Sequence, residues 1–314
     1  MRAMPMIDPV MVRRTVPADA RIMFDAAADG WPLRRFVRDG TGRGSLMFLG
    51  GRGDVFEKYL EALDDWHTRG WAVSTFDWRG QGGSGRLCAN RHVGHSDNFA
   101  PWIDDLGGVW RDRTAACTGP HVLVGHSMGG YLALRALIDG VISADAVVLV
   151  APMLGLRSPV GAWIGGRVAA AMRRTGDPAR PAWKSHERPG GLARQQLLTA
   201  DSARYADEEW WMATRPELRL GPPSWAWLDE AFAATARLRG DPKLSSLTTP
   251  VLMLVAEHDR LVDPRAAAQV AARLPSATLV RFGKGAAHEL LREADPIRGQ
   301  AMAAIDAFLA QHAP

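Results

Sequence analysis

With 314 residues the chain can bury a sizeable core, in one large domain or two smaller ones. Hydrophobic residues make up 47% and charged residues 23%, an ordinary globular balance, and a formal net charge of +4 is too mild to signal a nucleic-acid partner. The two cysteines, Cys88 and Cys117, are too few for a disulfide framework, and no run of about 18 apolar residues is available to span a bilayer. The N-terminus lacks the uninterrupted apolar stretch of a signal peptide, so the expected setting is the cytoplasm, with reduced thiols.

In chain order, Arg21 to Ala27 and Pro32 to Val37 read as two strands around a turn at Gly30. Ser45 to Leu49 is a short apolar run ending in Gly50-Gly51-Arg52-Gly53, followed by an amphipathic helix from Val55 to Arg69. Ala72 to Phe76 is a strand that runs into a glycine-rich loop. Phe99 to Ala116 carries Trp102, Ile103, Leu106, Val109 and Trp110 at helical spacing. His121 to Val124 reads as a strand, Met128 to Ile138 as a helix and Ala146 to Val150 as a strand. The strands resume with Pro250 to Val255 and Thr278 to Phe282, with helices over Pro264 to Leu274 and Ile297 to Leu309. Unbroken apolar strands alternating with helices predict an α/β fold on a mostly parallel sheet, buried on both faces. Residues 152–245 break the rhythm. They hold no obvious strand, are rich in Arg, Ala, Pro and Trp, and read as a helical insertion. The expected division is a core of residues 1–151 and 246–314, with 152–245 as a cap.

Gly125-His126-Ser127-Met128-Gly129 fits the G-x-S-x-G nucleophile elbow and has the required context, an apolar strand before and a helix after. The glycines are needed because the turn is too tight for neighbouring Cβ atoms. Ser127 then stands at the apex, beside a helix N-terminus that favours developing negative charge. A serine hydroxyl needs a base, and this motif expects the order Ser, acid, His. His288 lies in a loop between the last strand and the last helix and is the candidate base. His258 is its rival, but it falls beside the candidate acid. His126 belongs to the elbow and is expected to point away from the line of attack. Asp259 follows a strand by a short turn and is the candidate acid, to orient the imidazole and stabilise its protonated form. Its rivals are Glu257, early in the turn, and Asp263, which precedes Pro264 and reads better as a helix N-cap.

Negative charge on the carbonyl oxygen of an acyl-transfer transition state calls for preorganised N–H donors. The backbone N–H of Met128 is one candidate and that of Arg52, in the loop after Leu49, the other. The second glycine-rich stretch, Asp77 to Gly85, lacks the Gly-Lys-Ser/Thr ending of a P-loop and does not open a helix directly, so it reads as structural. No zinc-type or cofactor motif is present, and neither a metal nor a cofactor is expected.

Several stretches together resemble a known group. They are Asp77-Trp78-Arg79-Gly80-Gln81-Gly82-Gly83-Ser84-Gly85-Arg86-Leu87, His92-Val93-Gly94-His95, Trp102-Ile103-Asp104-Asp105-Leu106, Gly125 to Gly130, Ala151-Pro152-Met153-Leu154-Gly155, and Gly221-Pro222-Pro223-Ser224-Trp225-Ala226-Trp227. The chain resembles the bacterial lysophospholipases of the α/β-hydrolase superfamily, in the branch that holds monoacylglycerol lipases, from about residue 45 to the end. The resemblance implies a cap over the active site, a triad falling on Ser127, Asp259 and His288, and single-chain lipid esters as substrates. One relative group carries Glu where Asp259 stands, which favours that position over its neighbours. Many hydrolases have His-Gly where this chain has Gly50-Gly51.

Between Leu156 and Gly190 basic residues far outnumber acidic ones: Arg157, Arg167, Arg173, Arg174, Arg180, Lys184 and Arg188 against Asp177 and Glu187. Val160, Trp163, Ile164, Val168, Ala171 and Met172 follow helical spacing. Two readings stand side by side: a basic amphipathic helix docking on an anionic membrane, or an apolar stripe packed on the core beneath solvated arginines. Two further readings of the whole chain compete. A capped aminopeptidase would use Glu208 and Glu209 to hold a substrate ammonium, and a non-catalytic protein would use the same fold for binding.

Overall fold

A computed structural model of the chain describes residues 9–183 and 192–314. Its strands are β1 (Arg21–Ala26), β2 (Pro32–Arg38), β3 (Ser45–Leu49), β4 (Ala72–Phe76), β5 (His121–His126), β6 (Ala146–Val150), β7 (Val251–Ala256) and β8 (Ala277–Phe282). They form one eight-stranded sheet in the order β1-β2-β4-β3-β5-β6-β7-β8. β1 and β2 pair antiparallel, as do β2 and β4; every later pairing is parallel. This is the architecture expected from the apolar strand runs.

The helices are α1 (Pro9–Arg14), α2 (Leu60–Thr68), α3 (Ala100–Ala115), α4 (Met128–Ile138), α5 (Ala162–Arg174), α6 (Leu192–Leu198), α7 (Ser202–Thr214), α8 (Trp225–Gly240), α9 (Pro264–Ala271) and α10 (Asp295–His312). Alternation along the buried strands sends neighbouring side chains to opposite faces. Val251, Met253 and Val255 of β7 pack with α3, α4, α8 and α9. Leu252, Leu254 and Ala256 pack with α2 and α10. Both faces are thus covered, which is why these strands read as continuous apolar runs.

Element ends differ where tertiary contacts overrule local pattern. β5 extends to His126, because Gly125 pairs with Leu49 and His126 with Val150. The stretch expected as one helix from Val55 opens as a 3-10 turn, Phe56–Tyr59, before α2 begins. α1 is too short to show a period. It is held by its surroundings: Arg13 and Arg14 pair with Asp207, and the Trp211 indole donates to the Arg13 carbonyl.

Residues 152–245 contain α5 to α8 and a 3-10 turn, Pro216–Leu218, with isolated bridges at Gly94–Pro223 and Pro181–Ser224. α7 is tied to the sheet domain by ion pairs: Arg204 to Glu61 and Asp295, and Asp207 to α1. α8 packs Trp227, Ala231, Ala234 and Leu238 into the core. α5 lies outside α8, with Gly165 and Gly166 against Phe232 and Ala169 buried. Of the expected stripe, Val160, Trp163, Ile164 and Val168 face outward, between 46% and 74% exposed, Ala171 is exposed too, and Met172 is half-buried. Lys184, Glu187 and Arg188 of the expected basic segment lie outside the described residues.

Candidate active site

Ser127 follows β5 and stands at the N-cap of α4 with φ 51° and ψ −116°, a conformation that a non-glycine residue adopts at a cost of about 1–3 kcal/mol. The surroundings enforce it. The Ser127 N–H donates to the Val150 carbonyl, and its own carbonyl accepts from Met153 and Tyr131. A Cβ on Gly125 would sit 2.8 Å from backbone atoms of Gly129 and Gly130, and one on Gly129 would sit 2.4 Å from the Leu49 carbonyl oxygen. The elbow closes only because both positions are glycine.

His288 is buried, and its Nδ1 lies 2.6 Å from Asp259 Oδ2. The other carboxylate oxygen of Asp259 accepts from the N–H groups of Leu261, at 2.7 Å, and Val262, at 3.1 Å. Both carboxylate oxygens of Asp259 are therefore committed, one to His288 Nδ1 and the other to backbone N–H groups. Burial alone would raise the Asp259 pKa, but the His288 ring and these N–H donors outweigh it and hold it below the ordinary carboxylate value. Burial likewise opposes protonation of His288, but the Asp259 carboxylate prevails and raises its pKa above the ordinary imidazole value. The rivals stand elsewhere. Glu257 and His258 are exposed, and Asp263 caps α9 by accepting from the Arg265 N–H.

The loop after β3 reaches the elbow so closely that a Cβ on Gly51 would meet Ser127 Cβ at 3.0 Å. Three contacts fix its shape. Trp78 Nε1 donates to the Gly50 carbonyl, the Gly51 N–H donates to Asp54, and the Gly53 N–H donates to Gln81 Oε1. Arg52 sits between the pinned amides, and its guanidinium donates to the Gly221 carbonyl and lies over the Trp227 ring. The Asp77 to Gly85 stretch is structural, and more: through Trp78 and Gln81 it holds this loop.

Sequence reading missed a set of buried polar partners. His126 does not merely point aside. Its Nδ1 lies 3.1 Å from Asp54 Oδ2 and 3.0 Å from the Tyr59 hydroxyl, and its Nε2 lies 3.3 Å from the His288 carbonyl oxygen. Lys58, Glu208, Glu289 and Arg292 complete the cluster. No local pattern marks such residues, which come from distant segments. A glutamate directly after the candidate base was the one available hint. Among the described residues no group of side chains could hold a metal ion, and Cys88 and Cys117 form no disulfide.

An eight-stranded, mostly parallel sheet with a serine elbow after β5 defines the α/β-hydrolase fold. The family model described as serine aminopeptidase, S33 matches residues 40–295, and the chain belongs to this family. It is 31% identical over 285 residues to lysophospholipase L2 of Escherichia coli strain K12, covering 85% of this chain and 80% of that one. Monoglyceride lipase from Saccharomyces cerevisiae superposes with a TM-score of 0.78 at 18% identity, covering 96% of this chain and 98% of that one. The monoacylglycerol lipase of Paleococcus ferrophilus gives 0.69 at 20% identity, over 88% and 98%. The chain is a carboxylic ester hydrolase.

Proposed function

We propose that the protein hydrolyses single-acyl-chain lipid esters, a lysophospholipid or a monoacylglycerol, through an acyl-enzyme on Ser127. The carrying observation is the Asp259–His288 pair, buried and bonded at 2.6 Å, in the chain order that the strained Ser127 elbow requires. Ser127 attacks the ester carbonyl as His288 takes its proton, and the N–H groups of Met128 and Arg52 hold the oxyanion. His288 then protonates the departing alcohol and activates water to release the acid. The names of the relatives, lysophospholipase L2 and monoglyceride lipase, favour a single acyl chain. Residues 152–245 serve as the cap over this site, a role supported by Arg52 reaching Gly221 and Trp227 within them.

The outward stripe of α5 extends the reading to peripheral contact with an anionic membrane surface. Trp163, with Arg167 over its ring, and the exposed Ile164, Val168 and Arg174 offer apolar area and positive charge on α5. No helix among the described residues is long and apolar enough to cross a membrane.

The aminopeptidase alternative loses its candidate anchor. Glu208 is buried and already engaged by Lys58, Arg194 and Arg292, and Glu209 lies 3.8 Å from Arg194 and 3.7 Å from Arg219. A substrate ammonium would have to displace these cations. The test is a hydrolysis panel of lysophosphatidylcholine, lysophosphatidylethanolamine, a monoacylglycerol, the matching two-chain lipids and an aminoacyl-naphthylamide. Turnover confined to single-chain esters is expected. Preferred turnover of the naphthylamide, or equal turnover of two-chain lipids, would defeat the reading.

A further inference from the structure

Behind the proposed base lies a buried, charge-balanced cluster. Lys58 Nζ lies 2.6 Å from Asp54, 2.8 Å from Glu289 and 3.2 Å from Glu208. Arg292 bonds Glu289 and lies 3.1 Å from Glu208 Oε2, and Arg194 lies 2.6 Å from Glu208 Oε1. Three carboxylates thus face three cations, and all but Arg194 have nearly inaccessible side chains. Burial alone would discharge Lys58 and Glu208, but the opposite charges outweigh it: Lys58 is held far above the ordinary amine value and Glu208 far below the carboxylate one.

The cluster joins three segments of chain. Asp54 and Lys58 follow the loop that meets Ser127, Glu289 and Arg292 follow His288 directly, and Arg194 and Glu208 belong to α6 and α7 of the insertion. Two hydrogen bonds run parallel to it: the Glu289 N–H donates to the Leu198 carbonyl at 2.7 Å, and the Thr199 hydroxyl donates to the Arg292 carbonyl at 2.8 Å. Well-packed leucines would hold these segments together at lower desolvation cost. What an ion cluster adds is direction, since each oxygen fixes where its cation stands.

We propose that Glu208 is a positioning residue for His288: its two carboxylate oxygens, shared among Arg194, Lys58 and Arg292, let the insertion set the placement of the loop that carries the base. The inference rests on the Ser127–His288 reading above. α6 and α7 are then a fixed bracket for the catalytic loop, distinct from the outward-facing α5.

The test compares wild type, Glu208→Gln and the charge-balanced double variant Arg194→Gln/Glu208→Gln on a soluble short-chain p-nitrophenyl ester, with kcat expressed per folded molecule. Glu208→Gln is expected to lower kcat about tenfold with KM within about twofold, as a misplaced base would. In the double variant the melting temperature recovers towards wild type while kcat stays low. Unchanged kcat in Glu208→Gln, a kcat that recovers along with the melting temperature, or failure of both variants to fold would overturn the inference; the last would make the cluster a requirement of folding. Ser127→Ala is measured in parallel. If it keeps full activity the nucleophile assignment fails, whereas an inactive Ser127→Ala beside a fully active Glu208→Gln refutes the positioning role alone.

Discussion

At the residue scale the pair Asp259–His288 carries a pH signature. In the proposed mechanism His288 must be neutral to accept the Ser127 proton. Burial favours that neutral form, but the Asp259 carboxylate, with Glu289 and Asp54 farther away, outweighs burial and raises the pKa above the ordinary 6.5. The sign follows: kcat/KM rises with pH, through a midpoint above 6.5. Asp259→Asn removes the opposing charge, so the limb moves to lower pH, and kcat falls by about a thousandfold to ten-thousandfold as the imidazole loses its orientation. A pH–rate series on both proteins checks this. A limb that stays in place in Asp259→Asn would mean that another group titrates. The tight turn at Ser127 and the Asp259–His288 contact were legible in the sequence because the elbow motif expects an acid and a base in a fixed chain order after it. Asp263 was separable from Asp259 because the following proline marks a helix start, and it does cap α9.

At the scale of elements, the loop from Gly50 to Gly53 is where packing and chemistry meet. A Cβ on Gly51 would lie 3.0 Å from Ser127 Cβ, 3.1 Å from Asp54 Oδ2 and 3.3 Å from His126 Nδ1. Each contact is a few tenths of an ångström too tight, and Asp54 and His126 are held by hydrogen bonds, so the relief is expected to fall on the loop. Gly51→Ala is predicted to lower kcat by about 10-fold to 100-fold, through displacement of the Arg52 N–H, with the melting temperature little changed. Steady-state kinetics beside a thermal melt read both quantities; wild-type kcat would show that the loop's approach is not needed. The strands were legible because a sheet covered on both faces demands unbroken apolar runs. The 3-10 opening before α2 was not, because Lys58 and Tyr59 serve the buried cluster as well as helix periodicity. The α5 stripe shows the limit of periodicity itself: spacing revealed an apolar face, but not what it faces. The glycines at 165 and 166 let the opposite side of α5 approach Phe232 and turn Trp163 outward.

For the whole molecule, the insertion divides into a part bound to the sheet domain through α7 and α8 and an outer helix, α5, with its apolar side exposed. Burying Trp163, Ile164 and Val168 in a lipid interface would contribute about 1–2 kcal/mol each, with the neighbouring arginines adding attraction to anionic headgroups. In a flotation assay the protein is predicted to rise with phosphatidylglycerol vesicles and much less with phosphatidylcholine vesicles, and Trp163→Glu to stay at the bottom with both. Equal flotation of that variant would remove α5 from the contact. The break in strand rhythm corresponds to the stretch between β6 and β7, whose described residues hold α5 to α8. The anchoring of that stretch could not be read from the sequence, since Glu61, Arg204 and Asp295, like Lys58, Glu208 and Arg292, are brought together only by the fold.

The central claim is that ester hydrolysis passes through a covalent bond to Ser127. Brief incubation with an alkyl fluorophosphonate, followed by intact-mass and peptide analysis, tests it most directly. One adduct per chain is predicted, on the peptide carrying Gly125-His126-Ser127-Met128-Gly129, with parallel loss of esterase activity, and neither adduct nor activity in Ser127→Ala. An adduct on another residue, or full hydrolysis by Ser127→Ala, would contradict the account.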